Sequence, residues 1–313
     1  MNFKDFDTKS AFIAIVGRPN VGKSSLLNAL VGEKVAAVSA KPQKVAIVSD
    51  KPQTTRTKIC GVYTKGVDQL VFIDTPGLHK PRTKLADFMV KQVGDSVSDV
   101  DLAVLVTEPK GEICAAEREL IQRFKDLHMP AILCVNKIDT LEHKEEMLEK
   151  ISAFAKEFEF EQVVPISAMK NDGIDILVSV LDGYAKPGPH YFADDSLTDQ
   201  PERAIVAELI RERILVDLEN EVPHGVAVSI ESMKEREGKD IVDIDAMIYC
   251  EKDSHKGIII GKKGDMLKKI GSEARASIER FLGCKVNLQC WVKVKEDWRN
   301  RDGLLRNFGF TEN

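Results

Sequence analysis

The chain has 313 residues, of which 43% are hydrophobic and 30% are charged, and its formal net charge is −5. This length is sufficient for two domains, and the composition is ordinary for a globular protein. No apolar run approaches the roughly 18 residues of a membrane span, and the N-terminus lacks the apolar segment of a signal peptide. The six cysteines show no C-x-x-C spacing, which argues against a zinc site or a disulfide framework. We therefore expect a cytoplasmic protein with reduced thiols.

A phosphate-binding loop follows the first predicted strand. The apolar stretch Phe12–Val16 precedes a sequence that fits G-x-x-x-x-G-K-[ST], and a helical pattern begins at Ser25. This strand–loop–helix context is the one that the motif requires. The glycines let consecutive backbone N–H groups face a phosphate, while the lysine suits the β- and γ-phosphates and the serine suits Mg²⁺. The candidate nucleotide-binding residues of this loop are Gly17, Arg18, Pro19, Asn20, Val21, Gly22, Lys23, Ser24 and Ser25.

Two nearly identical decapeptides come next, Lys34–Gln43 and Lys44–Gln53, which differ at two positions only. The second copy alone continues into Thr54-Thr55, so we expect it to keep the functional register. The extra residues are expected to form a loop or to lengthen an edge strand, because loop closure costs only about 0.6 kcal/mol per doubling of length. Thr55, with Thr54 as the alternative, is the candidate threonine for Mg²⁺ and the γ-phosphate.

The next motif, Asp74-Thr75-Pro76-Gly77, follows the predicted strand Leu70–Ile73. Asp74 can reach Mg²⁺ through water, and the Gly77 N–H can meet the γ-phosphate. Many GTPases place a glutamine directly after this motif to orient the attacking water, but this chain has Leu78. We hypothesise instead that Asn20 supports K⁺-stimulated turnover; the alternative is that Asn20 only stabilises its turn.

These assignments predict slow intrinsic hydrolysis of a bound nucleoside triphosphate. The candidate catalytic residues are Asn20, Lys23, Thr55 and Gly77. The candidate metal ligands are Ser24, Thr55 and Asp74.

Two later motifs predict that the base is guanine. Asn136-Lys137-Ile138-Asp139 follows the predicted strand Ala131–Val135, and Ser167-Ala168-Met169 follows Val163–Ile166. The Asp139 carboxylate can accept two hydrogen bonds from guanine, and the Ala168 N–H can bond guanine O6. We expect this carboxylate to be buried, so adenine would leave it unpaired at a cost of about 1–3 kcal/mol. Because strands alternate with helices, we expect a doubly wound α/β sheet with its ligand at the carboxyl ends of the strands.

A linker and a smaller second domain are predicted after these motifs. Residues 185–202 are rich in Pro and acidic residues, which favours a linker between a GTPase domain at 1–184 and a second domain at 203–313. The second domain has the predicted order helix-strand-strand-helix-helix-strand and contains the sequence G-I-I-I-G-K-K-G. In KH domains a G-x-x-G loop between two helices clamps a nucleic-acid backbone, so we expect an α+β type II KH domain. The candidate RNA-binding residues are Ile258, Ile259, Ile260, Gly261, Lys262, Lys263 and Gly264.

The end of the chain is rich in positive charge. Residues 254–306 carry 13 Lys/Arg and 6 Asp/Glu, an excess that suits an anionic polymer such as RNA. Trp291, on the last predicted strand, is expected to pack in the core rather than to stack on bases.

Taken in this order, the motifs closely resemble those of the Era family of bacterial GTPases over essentially the whole chain. The resemblance implies GTP/GDP and Mg²⁺ as cofactors, with K⁺ as a further candidate. It assigns Gly17–Ser25, Asp74–Gly77, Asn136, Lys137 and Asp139 to the nucleotide and Gly261–Gly264 to RNA. It also implies that the KH domain binds the 3′ end of 16S ribosomal RNA (16S rRNA) and that the protein assists maturation of the small (30S) ribosomal subunit. Peripheral association with the inner face of the cell membrane is implied as well, and a monomer is expected.

The duplicated decapeptide departs from the pattern of that family. It leaves open an alternative, a GTP- and RNA-binding module whose hydrolysis the duplication impairs. A third reading is a membrane-associated signalling GTPase with incidental affinity for RNA.

Overall fold

The computed structural model describes residues 7–38, 44–49, 51, 54–77, 83–98 and 100–310, and for residues 33–38, 90, 93–95, 97 and 98 it describes only the backbone. The described residues group into two compact units. The first lies within Met1–Ala46, Thr55–Lys80 and Met89–Asp199, and the second lies within Ile47–Thr54, Pro81–Phe88 and Gln200–Asn313. No helix of this described part is long and apolar enough to cross a membrane.

The first unit is built on one mixed sheet with the strand order β2-β3-β1-β4-β5-β6. Its strands are β1 (Lys9–Val16), β2 (Ile59–Lys65), β3 (Asp68–Asp74), β4 (Leu102–Thr107), β5 (Ala131–Val135), β6 (Gln162–Pro165) and β7 (Lys186–Pro187). The helices along this part of the chain are α1 (Lys23–Val38), α2 (Lys84–Ser98), α3 (Ala115–Leu127), α4 (Glu145–Glu157) and α5 (Ile174–Asp182). Strands β3, β1, β4, β5 and β6 are parallel, whereas β2 pairs antiparallel with β3 and β7 pairs antiparallel with β1.

Strand β1 illustrates why the sheet is covered on both faces. Ile13 and Ile15 pack into one apolar cluster, and Ala14 and Val16 pack into another. Successive side chains of a strand point to opposite faces, so a parallel strand buried on both faces has a continuous apolar sequence. The predicted doubly wound α/β fold is confirmed, and its motifs follow the carboxyl ends of β1, β3, β5 and β6.

The two decapeptides adopt different conformations. Helix α1 continues to Val38, so the expectation of a loop or a longer edge strand is wrong for residues 34–38; residues 39–43 lie outside the described residues. In the second copy, the N–H groups of Val45 and Ala46 each donate to Asn28 Oδ1 at 3.0 Å, and Asn28 Nδ2 donates to the Ala46 carbonyl at 2.7 Å. The tripeptide Lys-Val-Ala is therefore helical in the first copy, where it continues α1, and non-helical in the second copy, where Asn28 holds its backbone.

Much of the predicted linker is packed on the first unit. The buried Gln69 side chain accepts from the N–H groups of Tyr191 and Phe192 at 2.8 and 3.0 Å, and it donates to the Phe192 carbonyl at 3.0 Å. The Tyr191 ring meets the Phe12 ring edge-on at 4.9 Å between centroids. These contacts and strand β7 tie the segment to the sheet as far as residue 199.

The second unit has the predicted order of helices and strands. Its elements from residue 200 onward are α6 (Glu202–Asp217), β8 (Ala227–Glu235), β9 (Ile241–Cys250), α7 (Asp253–Ile260), α8 (Asp265–Leu282), β10 (Lys285–Val294) and α9 (Asp302–Asn307). The sheet order is β10-β9-β8, with β9 parallel to β10 and antiparallel to β8. Apolar residues of α6, α7 and α8 pack with one face of this sheet, which confirms the predicted KH-type α+β fold.

The expected core position of Trp291 is wrong, because its side chain is 44% exposed. Strand β10 alternates between more and less buried residues, and Trp291 falls on the exposed positions while Cys290 and Val292 fall on the more buried ones. The buried tryptophan is Trp298, whose Nε1 donates to the Gly225 carbonyl at 2.9 Å.

Candidate nucleotide and RNA sites

The phosphate loop has backbone angles that demand its glycines. Gly17 and Gly22 have φ of +151° and +96°, values that L side chains rarely adopt. A Cβ would overlap the Val106 carbonyl at the first position and the Asn136 side chain at the second. Asn20 also lies in the left-handed region, with φ of +66°, which asparagine tolerates better than most residues. Asn20 therefore serves the turn of the loop, and binding of K⁺ stays a separate hypothesis.

Lys23 is held inside this loop and is only 6% exposed. Its Nζ donates to the carbonyls of Gly17 and Arg18, at 3.1 Å each. Burial lowers the pKa of Lys23 to about 8, although the charge of Asp74 opposes the shift. Because burial disfavours the ammonium, an anionic ligand would stabilise it strongly, and the loop is therefore suited to phosphate.

The three candidate metal ligands meet although they come from three separate segments. Ser24 Oγ donates to Asp74 Oδ2 at 2.7 Å and lies 2.7 Å from Thr55 Oγ1, which is 3.4 Å from the same carboxylate oxygen. Thr54 is engaged elsewhere, since its hydroxyl donates to the Lys51 carbonyl at 2.6 Å. Thr55 rather than Thr54 therefore belongs to this cluster.

These residues fit Mg²⁺. Asp74 is fully buried, and its Oδ1 has no hydrogen-bond partner among the described residues. Burial raises the pKa of Asp74 to about 6, against the opposing effects of Lys23, Ser24 and Thr55. Hydroxyl and carboxylate oxygens are the hard ligands that Mg²⁺ prefers, and a cation would stabilise the charged carboxylate that burial disfavours.

The loop after β3 packs directly against the phosphate loop. A Cβ on Gly77 would lie 2.8–2.9 Å from atoms of Pro19, so this approach requires glycine. Thr75 is fully buried and its Oγ1 donates to the Ile15 carbonyl at 3.0 Å. The backbone of Gly77 therefore runs beside the phosphate loop, while Leu78 lies outside the described residues.

Asn136 joins the loops that carry the two guanine motifs to the phosphate loop. Its side chain is 2% exposed; Nδ2 donates to the Val21 carbonyl at 2.8 Å, and Oδ1 accepts from the Ala168 N–H at 3.0 Å. Asn136 thus holds its own loop, the phosphate loop and the loop at Ala168 together. Guanine O6 would have to share the Ala168 N–H with Asn136.

The residues that would read the guanine edge lie at the surface. The expectation of a buried Asp139 is wrong, because this residue is exposed; its carboxylate accepts a hydrogen bond from Ser167 Oγ at 2.6 Å. Met169 is 84% exposed. The cost of leaving Asp139 unpaired is large only where it is shielded from water, so the discrimination against adenine requires the bound base itself to cover this carboxylate.

Glu108, which the sequence motifs do not mark, also joins two of these loops. It directly follows β4 and accepts hydrogen bonds from Arg18 of the phosphate loop and from Lys137. Its only sequence signal is its position, because ligands of doubly wound sheets bind beyond the carboxyl ends of the strands.

The G-x-x-G loop lies between α7 and α8 and has an open backbone. Gly261 and Gly264 have φ of +73° and +84°, and Lys263 has φ of +55°. A Cβ on Gly261 would lie 2.7 Å from Met266 Cβ, whereas a Cβ on Gly264 would meet nothing within 4 Å. Lys262 and Lys263 are both exposed, so their charges are available beside that open space.

The three candidate isoleucines before this loop differ in burial. Ile258 is 49% exposed, Ile260 is half-buried, and Ile259 is fully buried in the core of the second unit. The Ile259 side chain therefore offers no surface to RNA.

A groove of about 330 Å³ continues from the G-x-x-G loop along α8. It includes Lys268 and Arg275, which sequence motifs did not single out. Their seven-residue spacing places them on one face of a helix, with small residues between them. The lining residues are Gly264, Leu267, Lys268, Gly271, Ser272, Arg275, Leu288 and Cys290.

Comparison with known proteins divides the chain in the same order. Residues 12–137 match the family described as 50S ribosome-binding GTPase, and residues 221–299 match the KH domain family. The GTPase Era of Clostridioides difficile (strain 630) is 51% identical over 304 residues, which cover 97% of this chain and 99% of that protein.

Two solved structures are similar over almost the whole chain. A crystal structure of Era in complex with MgGDPNP and nucleotides 1506–1542 of 16S ribosomal RNA has a TM-score of 0.89 and 36% identity. A variant of Aquifex aeolicus Era bound to GDP·AlF4⁻ has a TM-score of 0.90 and 36% identity. Each comparison covers 97% of this chain and 100% of the other chain.

Proposed function

This chain belongs to the Era family of GTPases, and we propose that it uses GTP binding and hydrolysis to control its binding of 16S rRNA during maturation of the 30S subunit. Residues 1–184 form the GTPase domain in this proposal, 185–202 the linker and 203–313 the KH domain. The RNA is proposed from the similar Era structure that holds nucleotides 1506–1542 of 16S rRNA. The enzyme hydrolyses GTP to GDP and phosphate.

The observation that carries the proposal is the meeting of Ser24, Thr55 and Asp74 within 2.7–3.4 Å. Hydrolysis requires water to attack the γ-phosphorus while the bond to the β–γ bridging oxygen breaks and GDP leaves. Mg²⁺, when bound, neutralises charge on the β- and γ-phosphates. The Ser24 and Thr55 hydroxyls would hold the ion directly and Asp74 would hold it through water.

The remaining catalytic roles fall to the phosphate loop and to Gly77. The Lys23 ammonium stabilises negative charge on the β- and γ-phosphates, and the Gly77 N–H donates to the γ-phosphate. An apolar side chain at residue 78 cannot orient water, so intrinsic turnover is slow. We propose that Asn20 supports K⁺ beside the phosphates and that RNA accelerates turnover.

The RNA part of the proposal rests on the G-x-x-G loop and the groove beside it. Gly264 leaves room for a close approach of a phosphodiester, and Lys262 and Lys263 supply charge. Ile258 and Ile260 offer apolar surface for unstacked bases. Lys268 and Arg275 extend the same basic track along α8.

The first experiment measures GTP turnover by the full chain in KCl and in NaCl, with and without an RNA that spans nucleotides 1506–1542 of 16S rRNA. We expect turnover to rise with K⁺ and to rise again with RNA. Equal rates in the two salts would disprove the role of K⁺ but not the hydrolysis itself. Equal turnover rates with and without RNA would disprove the coupling between RNA binding and hydrolysis.

RNA binding is tested with Lys262→Ala/Lys263→Ala, because Gly261→Asp would also strain the backbone and press on Met266. We expect weaker RNA binding and a salt dependence whose log–log slope falls by about 1.4, since each contact to single-stranded phosphate contributes about 0.7. The matched control is Lys234→Ala/Lys239→Ala, two exposed lysines of β8 and the following turn. If the two variants lost RNA affinity equally, the G-x-x-G loop would be rejected as the RNA site.

The alternative of a non-hydrolysing module is not supported. The similar relatives are GTPases, and Thr55 reaches Ser24 with both decapeptides present in the chain. The duplication therefore does not displace the candidate metal ligand.

We also propose a cytoplasmic monomer that associates peripherally with the inner face of the cell membrane. This part rests on the resemblance to the family alone. Flotation with anionic-lipid vesicles should recover a fraction of the protein, and light scattering should give the mass of one chain. If no more protein floats with vesicles than without them, the membrane association is wrong. If light scattering gives the mass of two chains, the monomer is wrong.

A further inference from the structure

Glu108 uses both of its carboxylate oxygens to hold two loops of the nucleotide site. Oε1 accepts from Lys137 Nζ at 2.6 Å, and Oε2 forms an ion pair with Arg18 Nη2. Arg18 belongs to the phosphate loop and Lys137 to the loop after β5, so these two cations lie far apart in sequence. Glu108 itself lies directly after β4, between the strands that carry the two loops.

Lys137 is fixed from two sides. Its backbone lies in the left-handed region, with φ of +66°, which is unfavourable for a residue with a Cβ. Its Nζ also donates to the Asn20 carbonyl at 2.6 Å. Surrounding contacts must therefore hold Lys137 in this conformation, and Glu108 supplies the charged one.

A second, fully buried carboxylate supports the other side of Arg18. Glu117 lies 3.8 Å from Arg18 Nε and 3.9 Å from Lys150 Nζ, and it accepts from Thr107 Oγ1 at 2.7 Å. Charges therefore alternate in sign from Lys137 through Glu108, Arg18 and Glu117 to Lys150. Burial alone would raise the pKa of Glu108, but the hydrogen bond from Lys137 and the charge of Arg18 hold it below its ordinary value, so this glutamate is ionised at neutral pH.

We propose that Glu108 is a positioning residue that locks the guanine-recognition loop to the phosphate loop and thereby prolongs the residence of the guanine nucleotide. It acts through Lys137 and Arg18 and makes no contact of its own with the nucleotide. This inference rests on the proposed assignment of those two loops to the nucleotide. Glu108 reaches Asn20 only indirectly, through Lys137, and has no described contact with Ser24, Thr55 or Asp74, so the rate of phosphate release per bound GTP should change much less than nucleotide release does.

The test measures dissociation of a fluorescent GDP from the full chain and from Glu108→Gln. The glutamine side chain is nearly the same size as that of glutamate but carries no charge, and its NH₂ group would face either Arg18 or Lys137. We expect release to accelerate about ten-fold while single-turnover hydrolysis stays within about two-fold. Glu119→Gln, at an exposed glutamate of α3, is the matched control and should release GDP as the parent does.

A double-mutant comparison separates positioning from a general loss of structure. In a Lys137→Met background, Glu108→Gln should accelerate release much less than in the parent, because most of its effect passes through Lys137. Glu108→Asp should be intermediate, since it keeps the charge on a shorter side chain. Unchanged release in Glu108→Gln, or an equal acceleration in the Lys137→Met background, would overturn the proposal. A parent chain that binds no guanine nucleotide would instead overturn the proposed nucleotide site.

Discussion

The protonation of Asp74 connects the metal site to the stability of the protein. Its folded-state pKa is raised by burial to about 6, from an ordinary value of 3.8. Between those values the metal-free folded chain holds more protons than the unfolded chain. The stabilising contribution of protonated Asp74 is therefore complete below about pH 4 and is lost as the pH rises through about 6.

We predict that metal-free, nucleotide-free protein loses part of its free energy of unfolding over this range because of Asp74. At about 1.4 kcal/mol per pH unit, the loss amounts to roughly 3 kcal/mol. Denaturation at several pH values, compared between the parent and Asp74→Asn, isolates this contribution from those of other carboxylates. Identical pH profiles would refute the burial argument.

Mg²⁺ should reverse the same effect, because the proposed site holds the ion beside the charged carboxylate of Asp74. Its apparent affinity for the parent should fall as the pH drops below about 6, since protons compete for Asp74. In Asp74→Asn that pH dependence should be absent and binding should be weaker at every pH.

Sequence reasoning at the scale of single residues succeeded where spacing fixes geometry. It favoured Thr55 with Thr54 as the alternative, and Thr55 is the threonine beside Ser24. It missed Glu108, because only the tertiary approach of two loops gives that residue its partners. Trp291 was misplaced because the alternation along β10 is set by which face the helices cover, and an aromatic side chain alone does not reveal that face.

At the scale of secondary structure, the two copies of a repeated sequence differ in conformation: the first continues α1, and Asn28 holds the backbone of the second. Apolar runs were sufficient to predict β1, β3 and β5, since strands that are buried on both faces have continuously apolar sequences. The duplicated segment carries no such signal, because both copies have the same local preferences. The difference arises from three hydrogen bonds between Asn28 and the backbone of Val45 and Ala46.

We predict that deleting residues 34–43 changes GTP turnover by less than about two-fold, because the second copy keeps its anchor and Thr55 keeps its place. Asn28→Ala should reduce turnover more than the deletion does. The substitution leaves the N–H groups of Val45 and Ala46 and the Ala46 carbonyl without their partner, at a cost of roughly 1–3 kcal/mol. The segment before Thr55 is therefore held less firmly.

Hydrogen exchange at Val45 and Ala46 provides the direct measurement for this element. It should accelerate in Asn28→Ala and stay unchanged in the deletion variant. Asn28→Asp is the intermediate control, since it keeps the acceptor for both N–H groups and loses the donor to the Ala46 carbonyl. Turnover that rises strongly on deletion would mean that the duplication restrains the switch.

At the scale of the whole molecule, the proposed control of RNA binding by GTP is a coupling free energy between two sites. Such coupling is reciprocal for binding. If a non-hydrolysable GTP analogue such as GDPNP tightens RNA binding by a given factor, RNA must tighten GDPNP binding by the same factor. Reciprocity holds whatever structural change transmits the effect, so it can be tested without knowledge of that change.

We predict a coupling factor on the order of ten, corresponding to about 1.4 kcal/mol, between GDPNP and the RNA that spans nucleotides 1506–1542 of 16S rRNA. Fluorescence titrations of each ligand in the absence and at saturation of the other give the factor twice, and the two values must agree. With GDP in place of GDPNP the factor should approach one, because GDP lacks the γ-phosphate that we propose Thr55 and Gly77 to contact. Lys262→Ala/Lys263→Ala should leave GDPNP affinity unchanged without RNA and should weaken the RNA binding through which the coupling acts.

A factor of one with GDPNP in the parent chain would mean that the two units bind their ligands independently, and the proposed control of RNA binding by GTP would be wrong even if each site binds as expected.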